Sequence, residues 1–187
     1  DAGASTGGFT DVLLRRGAGH VVAVDVGYGQ IAWRLREDPR VTVLERTNVR
    51  TLDPAAVAPA PGLVVGDLSF ISLTLVIPSL VRAAAAEADF LLLVKPQFEV
   101  GRERLGAGGV VRDTRLHAET VMAVSACARS HGLDVLAAIA SPLPGPAGNV
   151  EYFLHMRAGS GQEPDGGLES AVRSAIATGP AGKEARK

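Results

Sequence analysis

The chain has 187 residues, enough for one domain with a sizeable core, and its 47% apolar and 21% charged residues exclude wholesale disorder. Its formal net charge of −1 excludes a global basic field, so a nucleic-acid partner would have to be bound by a local patch. The single cysteine, Cys127, excludes an internal disulfide and a cysteine-based zinc cluster, and it fits a reducing cytoplasm. No apolar run approaches the roughly 18 residues of a membrane span, and we predict neither a membrane contact nor a metal site.

The first 25 residues are predicted to form a glycine turn, a helix and a strand that ends in a carboxylate. Three glycines let the backbone of the turn approach a ligand, because glycine has no Cβ and tolerates positive φ: Gly3, Gly7 and Gly8. The helix predicted over residues 9–17 directs its free N–H groups to the same place. Asp25 ends an apolar strand at residues 20–25, where α/β nucleotide-binding folds hold a ribose diol. The alternative is a structural turn in which Thr6 caps the helix.

Apolar strands and amphipathic helices alternate along the rest of the chain. Strands are predicted over residues 41–44, 63–66, 90–94, 133–139 and 150–156. Helices are predicted over residues 30–37, 73–86 and 113–130, and a short one through Leu168, Val172 and Ile176 in an otherwise frayed tail. Residues 97–111 carry four glycines and alternating charges, which predicts a mobile loop.

This alternation predicts an α/β protein with a Rossmann-like, mostly parallel sheet and helices on both faces. The last two strands have no helix between them. We therefore expect an antiparallel pair at the edge of the sheet, joined by a Pro/Gly-rich loop.

Ionisable groups stand at the predicted carboxyl ends of three strands, which is where open α/β sheets bind ligands. Asp67 and Lys95 each follow an apolar strand, and Glu151 faces the same side if its strand runs antiparallel. Carboxylates keep a neighbouring lysine protonated while burial favours its neutral form, so such a lysine is suited to deprotonating a sugar hydroxyl. The alternative is a structural ion pair.

The glycine pattern distinguishes between classes of cofactor. A P-loop requires Gly-Lys-Ser/Thr after its glycines, and a dinucleotide site has the form GxGxxG. The chain instead has Asp1-x-Gly3-x-Ser5-x-Gly7, which is typical of class I S-adenosylmethionine-dependent methyltransferases.

Six motifs in order resemble the TlyA-type haemolysin/rRNA methyltransferase family across residues 1–157. They lie at residues 1–11, 24–30, 45–48, 66–72, 94–99 and 141–151. The most specific are Lys-Pro-Gln-Phe-Glu at 95–99 and Pro-Leu-Pro-Gly-Pro at 142–146. The resemblance implies a class I, FtsJ-like catalytic domain over residues 1–158 and a tail over 159–187. It also implies 2′-O-methylation of cytidine in 16S ribosomal RNA, 23S ribosomal RNA or both, with ribosomal RNA and ribosomal subunits as partners.

The family's Lys-Asp-Lys-Glu tetrad matches this chain at its last three members, Asp67, Lys95 and Glu151. The first lysine and the family's N-terminal S4-like RNA-binding domain have no counterpart here. The chain also begins at Asp1 without the apolar run expected before a glycine turn. We therefore expect a truncated first strand and a fragment of a longer protein.

The resemblance assigns further residues to the cofactor and to RNA. S-adenosylmethionine is expected to contact Asp1, Gly3, Ser5, Thr6, Gly7, Gly8, Phe9, Asp25, Val26, Asn48, Val49 and Asp67. Basic residues around the glycine-rich loop are candidates for phosphate contacts, with a solvated surface as the alternative: Arg102, Arg104, Arg112 and Arg115. Phe70 and Phe98 are candidates for the acceptor pocket, although core packing is favoured for both, as it is for Trp33.

Two other functions compete with RNA methylation. One is a membrane-active haemolysin or an RNA-binding protein without methyltransferase activity, and no amphipathic pore-forming segment supports membrane activity. The other is a methyltransferase that acts on a small molecule. The basic loop and the RNA-specific motifs argue against it.

Overall fold

A computed structural model describes residues 1–145, 147–159 and 167–180. Within them, six helices and six strands alternate largely as predicted. In chain order they are α1 (Gly8–Arg15), β1 (Val21–Val24), α2 (Trp33–Arg36), β2 (Val41–Leu44), β3 (Leu63–Gly66), α3 (Ile77–Ala83), β4 (Asp89–Val94), α4 (Pro96–Glu99), α5 (Thr114–Ser130), β5 (Leu133–Ala140), β6 (Tyr152–Ala158) and α6 (Leu168–Thr178).

The strands lie in the order β2-β1 and β3-β4-β6-β5, and Ala2 joins the two groups through parallel bridges to Val24 and Gly66. The pairs β1-β2 and β3-β4 are parallel, whereas β6 is antiparallel to both β4 and β5. The predicted antiparallel pair at one end of the sheet is confirmed. The structure refines its order, because β6 is the antiparallel strand and lies one position inside the edge strand β5.

Helices cover both faces of the sheet, as predicted. Successive side chains of a strand point to opposite faces, and β1 shows the consequence. Val21 and Ala23 pack in a small cluster with Leu14 of α1 and Leu35 of α2. Val24 packs instead in a larger cluster with side chains of α3, α5 and α6.

Apart from shifted ends, such as those of α2, two predicted elements differ from the structure. Residues 73–86 are not one helix, because a 3-10 turn (Leu73–Leu75) precedes α3. Pro78 lies in the first turn of α3, where its missing N–H and fixed φ are tolerated, and it therefore favours a new helix start there. Residues 97–111 also contain structure that was not predicted, namely the end of α4 and two short 3-10 turns.

The short C-terminal helix is confirmed as α6. Its predicted apolar positions, Leu168, Val172 and Ile176, are all buried in the larger cluster. Residues 160–166 and 181–187 of the predicted tail, and Pro146 of the Pro-Leu-Pro-Gly-Pro motif, lie outside the described residues.

Candidate active site

A cavity of about 1000 Å³ opens at the carboxyl end of β4, close to the first residues of β6. Lys95, Gln97 and Glu151 contribute to its wall, together with the turn that follows β3. Its size lies at the upper end of the range for small-ligand sites. The antiparallel register explains why the charged groups meet here. Val94 pairs with Tyr152, so the next residues outward, Lys95 and Glu151, stand opposite each other at the strand ends.

Lys95 is the buried cation of this cavity, with 8% of its surface exposed. Its Nζ lies 2.5 Å from Oδ1 of Asp67 and donates to Oγ of Ser69 at 3.1 Å. An ammonium group has three N–H donors, so one remains for a ligand in the cavity. The Asp67 side chain is 44% exposed, which leaves the pair open on one side.

Glu151 is more deeply buried than Asp67, with 5% of its surface exposed. Its Oε1 accepts a hydrogen bond from Nε2 of Gln97 at 2.9 Å. Burial raises the pKa of Glu151, and the negative charge of Asp67 adds to that effect. The bond from Gln97 and the positive charge of Lys95 act in the opposite direction. Of the three predicted catalytic residues, Lys95 and Glu151 therefore line one cavity, and Asp67 joins them through its ion pair with Lys95.

The glycine turn lies against Asp67, the ion-pair partner of Lys95. Gly3 has φ of +81°, and a Cβ added there would stand 2.7 Å from the backbone oxygen of Asp67. Only glycine fits such an approach without displacing backbone. The side chain of Asp25 then fixes the turn, because its two carboxylate oxygens accept from the N–H groups of Ser5 at 2.8 Å and Gly27 at 2.7 Å. Each oxygen keeps a lone pair with which it can accept a ribose hydroxyl.

The turn also fits the amino-acid end of S-adenosylmethionine. Oδ2 of Asp1 accepts from the N–H and hydroxyl groups of Thr10, whereas its Oδ1 is buried without a partner and suits an ammonium donor. The N-terminus of α1 has no side-chain cap. Within the described residues the N–H groups of Gly8 and Phe9 therefore remain available for a carboxylate. The alternative in which Thr6 caps this helix is wrong, because Gly7 occupies the cap position with φ of 97°.

The other residues assigned to the cofactor differ in their surroundings. Val26 is 67% exposed beside Asp25, which suits an apolar contact with a nucleoside. Asn48 lines the cavity and accepts the N–H of Arg50, while Val49 is 4% exposed with its side chain in the larger core. The ring of Phe9 lies 6.2 Å from that of Phe153, edge to face.

The four candidate arginines fall into two groups. Arg104 pairs with Glu119 at 2.5 Å, and Arg115 pairs with Asp113, the N-cap of α5, at 3.0 Å. Arg102 lines the cavity, and neither it nor Arg112 forms an ion pair within the described ranges. Arg102 and Arg112 are therefore better placed to bind phosphate.

Aromatic residues depart most clearly from the predictions. Phe70 is 90% exposed, so core packing is wrong for it; its ring lies 5.1 Å from that of Phe98 at the cavity wall. Trp33 is 72% exposed. Helix α2 has only four residues, and Leu35 is the one that lies on the buried face of the helix.

Sequence reasoning missed several residues of the cavity wall, among them Arg50, Ser69, Gln97 and Asn149. Gln97 and Asn149 lie inside motifs that carry the resemblance, so a motif-based assignment would have found them. Ser69 lies in the motif at residues 66–72 and would have been found in the same way, whereas Arg50 carries no such signal. Across the described parts of the chain, no group of three His, Cys, Asp or Glu side chains is arranged to hold a metal ion. Nor is any helix there long and apolar enough to cross a membrane.

The FtsJ-like methyltransferase family model matches residues 1–158. The 16S/23S rRNA (cytidine-2'-O)-methyltransferase TlyA of Mycobacterium tuberculosis is 59% identical over 181 residues, which are 96% of this chain and 68% of that protein. The Bacillus subtilis protein YqxC is 46% identical, with 87% of this chain and 59% of that one covered. A solved structure of a hemolysin-named protein from Streptococcus thermophilus is 38% identical with a TM-score of 0.92, covering 100% of this chain and 66% of that one.

More distant solved methyltransferases, 12–18% identical, match with TM-scores of 0.53–0.61 and share the fold. The predicted class I methyltransferase sheet is thereby confirmed. The chain spans 59–68% of the length of the two curated relatives named above. The family model covers residues 1–158, and the relative TlyA aligns with 96% of this chain. The chain therefore belongs to the FtsJ-like methyltransferase family, whose cofactor is S-adenosylmethionine, and within it to the TlyA family.

Proposed function

We propose that the protein transfers a methyl group from S-adenosylmethionine to the 2′-hydroxyl of a cytidine in ribosomal RNA. The observation that carries this proposal is the position of Lys95, paired with Asp67 and opposite Glu151, at a large cavity beside the glycine turn. The curated relative of highest identity named above acts on 16S and 23S rRNA by its name, which supplies the acceptor class.

Each half of the site has its own task. Bound S-adenosylmethionine supplies a methyl group on a sulfonium. Lys95 orients the acceptor hydroxyl and, in its deprotonated amine form, takes up the hydroxyl proton during methyl transfer, while Asp67 and Glu151 set the position of the lysine. Holding the oxygen and the methyl in line contributes about 7–11 kcal/mol in well-oriented reactions.

The cavity wall also suits an RNA acceptor. A 2′-hydroxyl distinguishes RNA from DNA, and single-stranded bases are held by stacking on aromatic side chains. Phe70 presents an exposed ring, and Arg50 and Arg102 bring cations to the same cavity for phosphate contacts. An enzyme that modifies ribosomal subunits acts in the cytoplasm.

Replacing Lys95 tests the proposal. In the full-length protein, Lys95→Ala is expected to lower kcat for tritium-methyl transfer to unmodified ribosomal subunits by at least about 100-fold, since general acid–base groups contribute 10²–10⁴-fold. Cofactor affinity, measured by calorimetry, should stay within about threefold, because the donor side does not contain the lysine.

Arg82→Ala removes a cation from α3 on the exposed surface and serves as the control, with wild-type transfer expected. Transfer by Lys95→Ala at the control's rate would refute the role of the lysine. Wild-type protein that leaves both ribosomal subunits unmethylated, or that instead releases dye from liposomes, would refute the function itself.

A further inference from the structure

We propose that Glu99, which lies outside the cavity wall, is a positioning residue that fixes the RNA-facing turn of the site. We call residues 69–75 the acceptor turn. The proposal rests on the proposed function, because the turn carries Phe70 and Ser69 on the acceptor side. Glu99 acts through the turn and touches no reacting atom.

The acceptor turn has a shape that its own residues do not explain. Phe70 adopts φ of +63° although it is not glycine, and its ring is 90% exposed. A bulky residue in the left-handed region is strained and keeps that conformation only where its surroundings hold it. An exposed ring has little buried surface of its own to provide that support. The restraint must therefore come from the neighbours of the turn.

The contacts that hold the two ends of the turn and the Phe70 ring come from one segment, Lys95–Glu99. Lys95 holds the start of the turn through Ser69, and Phe98 contacts the ring of Phe70. Glu99 holds the end of the turn with both carboxylate oxygens. Oε2 accepts from Oγ of Ser72 at 2.5 Å, and Oε1 accepts from the N–H of Leu73 at 2.8 Å.

The hydrogen bonds of Ser72 are arranged for a carboxylate at position 99. The hydroxyl of Ser72 accepts from the N–H of Thr74 at 3.2 Å and lies 2.7 Å from the Thr74 hydroxyl. Its one proton is therefore committed to Glu99. A glutamine amide can accept from Leu73, but its NH₂ group can pair with Ser72 only if the serine hydroxyl turns and donates to Thr74 instead. An isosteric amide thus loses the charge assistance of both bonds and reverses the direction of the bond to Ser72.

The partial burial of Glu99 agrees with a role in holding the acceptor turn. Desolvation raises the pKa of Glu99, whereas the bonds from Ser72 and Leu73 lower it. The chain therefore keeps a partly desolvated carboxylate whose bonds all go to the acceptor turn. Leu73 at the end of that turn is 2% exposed, so the contact anchors the turn to the core.

The test compares Glu99→Gln with wild type in the full-length protein. We expect the KM for unmodified ribosomal subunits to rise at least fivefold while kcat falls less than threefold and cofactor affinity stays within twofold. Glu99→Asp, which keeps the charge, should recover part of the KM. The surface substitution Glu87→Gln is the matched control and should leave all three quantities unchanged.

Amide hydrogen exchange separates this proposal from the proposed function. Residues 71–75 should exchange at least tenfold faster in Glu99→Gln than in wild type, whether or not the protein methylates RNA. An unchanged KM, or a cofactor affinity that falls in parallel with it, overturns the positioning role. If wild type transfers no methyl group, the proposed function fails, and the exchange of residues 71–75 alone supports or overturns the anchoring of the turn.

Discussion

Gly145 lies directly against Glu151, so that a Cβ atom added to Gly145 would stand 2.7 Å from Oε1 of the glutamate. The Pro/Gly-rich loop thus forms the wall that keeps this carboxylate opposite Lys95. The same Oε1 accepts from Gln97, and the residue is 5% exposed, so a displaced side chain would have to move into the cavity and give up the bond from Gln97.

We therefore expect Gly145→Ala to displace Glu151 and to lower kcat by at least about tenfold. Stability should fall by only about 1–2 kcal/mol, because a side-chain end moves rather than backbone and one hydrogen bond is lost. Steady-state methylation and thermal melting measure the two effects. Gly62→Ala is the control, since a Cβ there meets nothing within 4 Å. Equal activity of the two variants would contradict the crowding argument.

Glu151→Gln should separate activity from stability. Burial raises the pKa of Glu151 above its unfolded value of 4.5, so below about pH 4.5 the group is neutral in both states and its burial costs nothing. As pH rises through the raised pKa, folding must bury the negative charge of Glu151, so wild type becomes less stable. The neutral amide of Glu151→Gln does not have this cost. The Tm of Glu151→Gln relative to wild type should therefore increase between pH 4.5 and 7, by about 2–4 °C for each kcal/mol. Methyl transfer should fall.

A Tm difference that is independent of pH, or that falls towards neutral pH, would show that the attraction of Lys95 outweighs desolvation. The amide still accepts from Gln97, so the variant tests the charge rather than the shape.

His117 is predicted to be structural. A carbonyl can only accept, so Nε2 of His117 donates to Val111 at 2.7 Å, and Nδ1 accepts from the hydroxyl of Tyr152 at 2.7 Å. Burial lowers the pKa of His117, which favours this neutral form. His117→Ala leaves both partners unsatisfied in the core and should cost about 2–4 kcal/mol. Chemical denaturation measures the loss, and the exposed His131→Ala should cost less than about 1 kcal/mol. Equal losses would refute the buried bridge.

The fold could be predicted largely from periodicity. Strands β2 and β3 have the predicted bounds because short β-branched runs end at polar or glycine residues on both sides. Asp113 caps α5 as its position suggested, by accepting from the N–H of Arg115. The meeting of Asp67 and Lys95 was predictable too, since parallel neighbours end at one edge of a sheet.

The wall of the site could not be predicted in the same way. The contacts of Glu99 with Ser72 and of Gln97 with Glu151 join residues that are 27 and 54 positions apart, and no local pattern encodes them. Phe70 was assigned to the core because hydropathy favours burial of a phenylalanine. Its exposure follows from the φ of +63° that the surrounding contacts impose.

The exposed ring of Phe70 is expected to stack on a base of the acceptor RNA. Stacking of a base on an aromatic side chain contributes about 1–3 kcal/mol, so Phe70→Ala should raise the KM for ribosomal subunits by about 5–150-fold. Because 90% of the residue is exposed, its removal should not lower the Tm, and because the donor side lies on the glycine turn, cofactor affinity should not change. Phe70→Tyr keeps an aromatic face and should keep the KM. Trp33→Ala removes another exposed ring, which lies outside the cavity wall, and should have no effect on the KM. If Phe70→Ala methylates with wild-type KM, Phe70 does not stack on the acceptor and its strained conformation serves the turn alone.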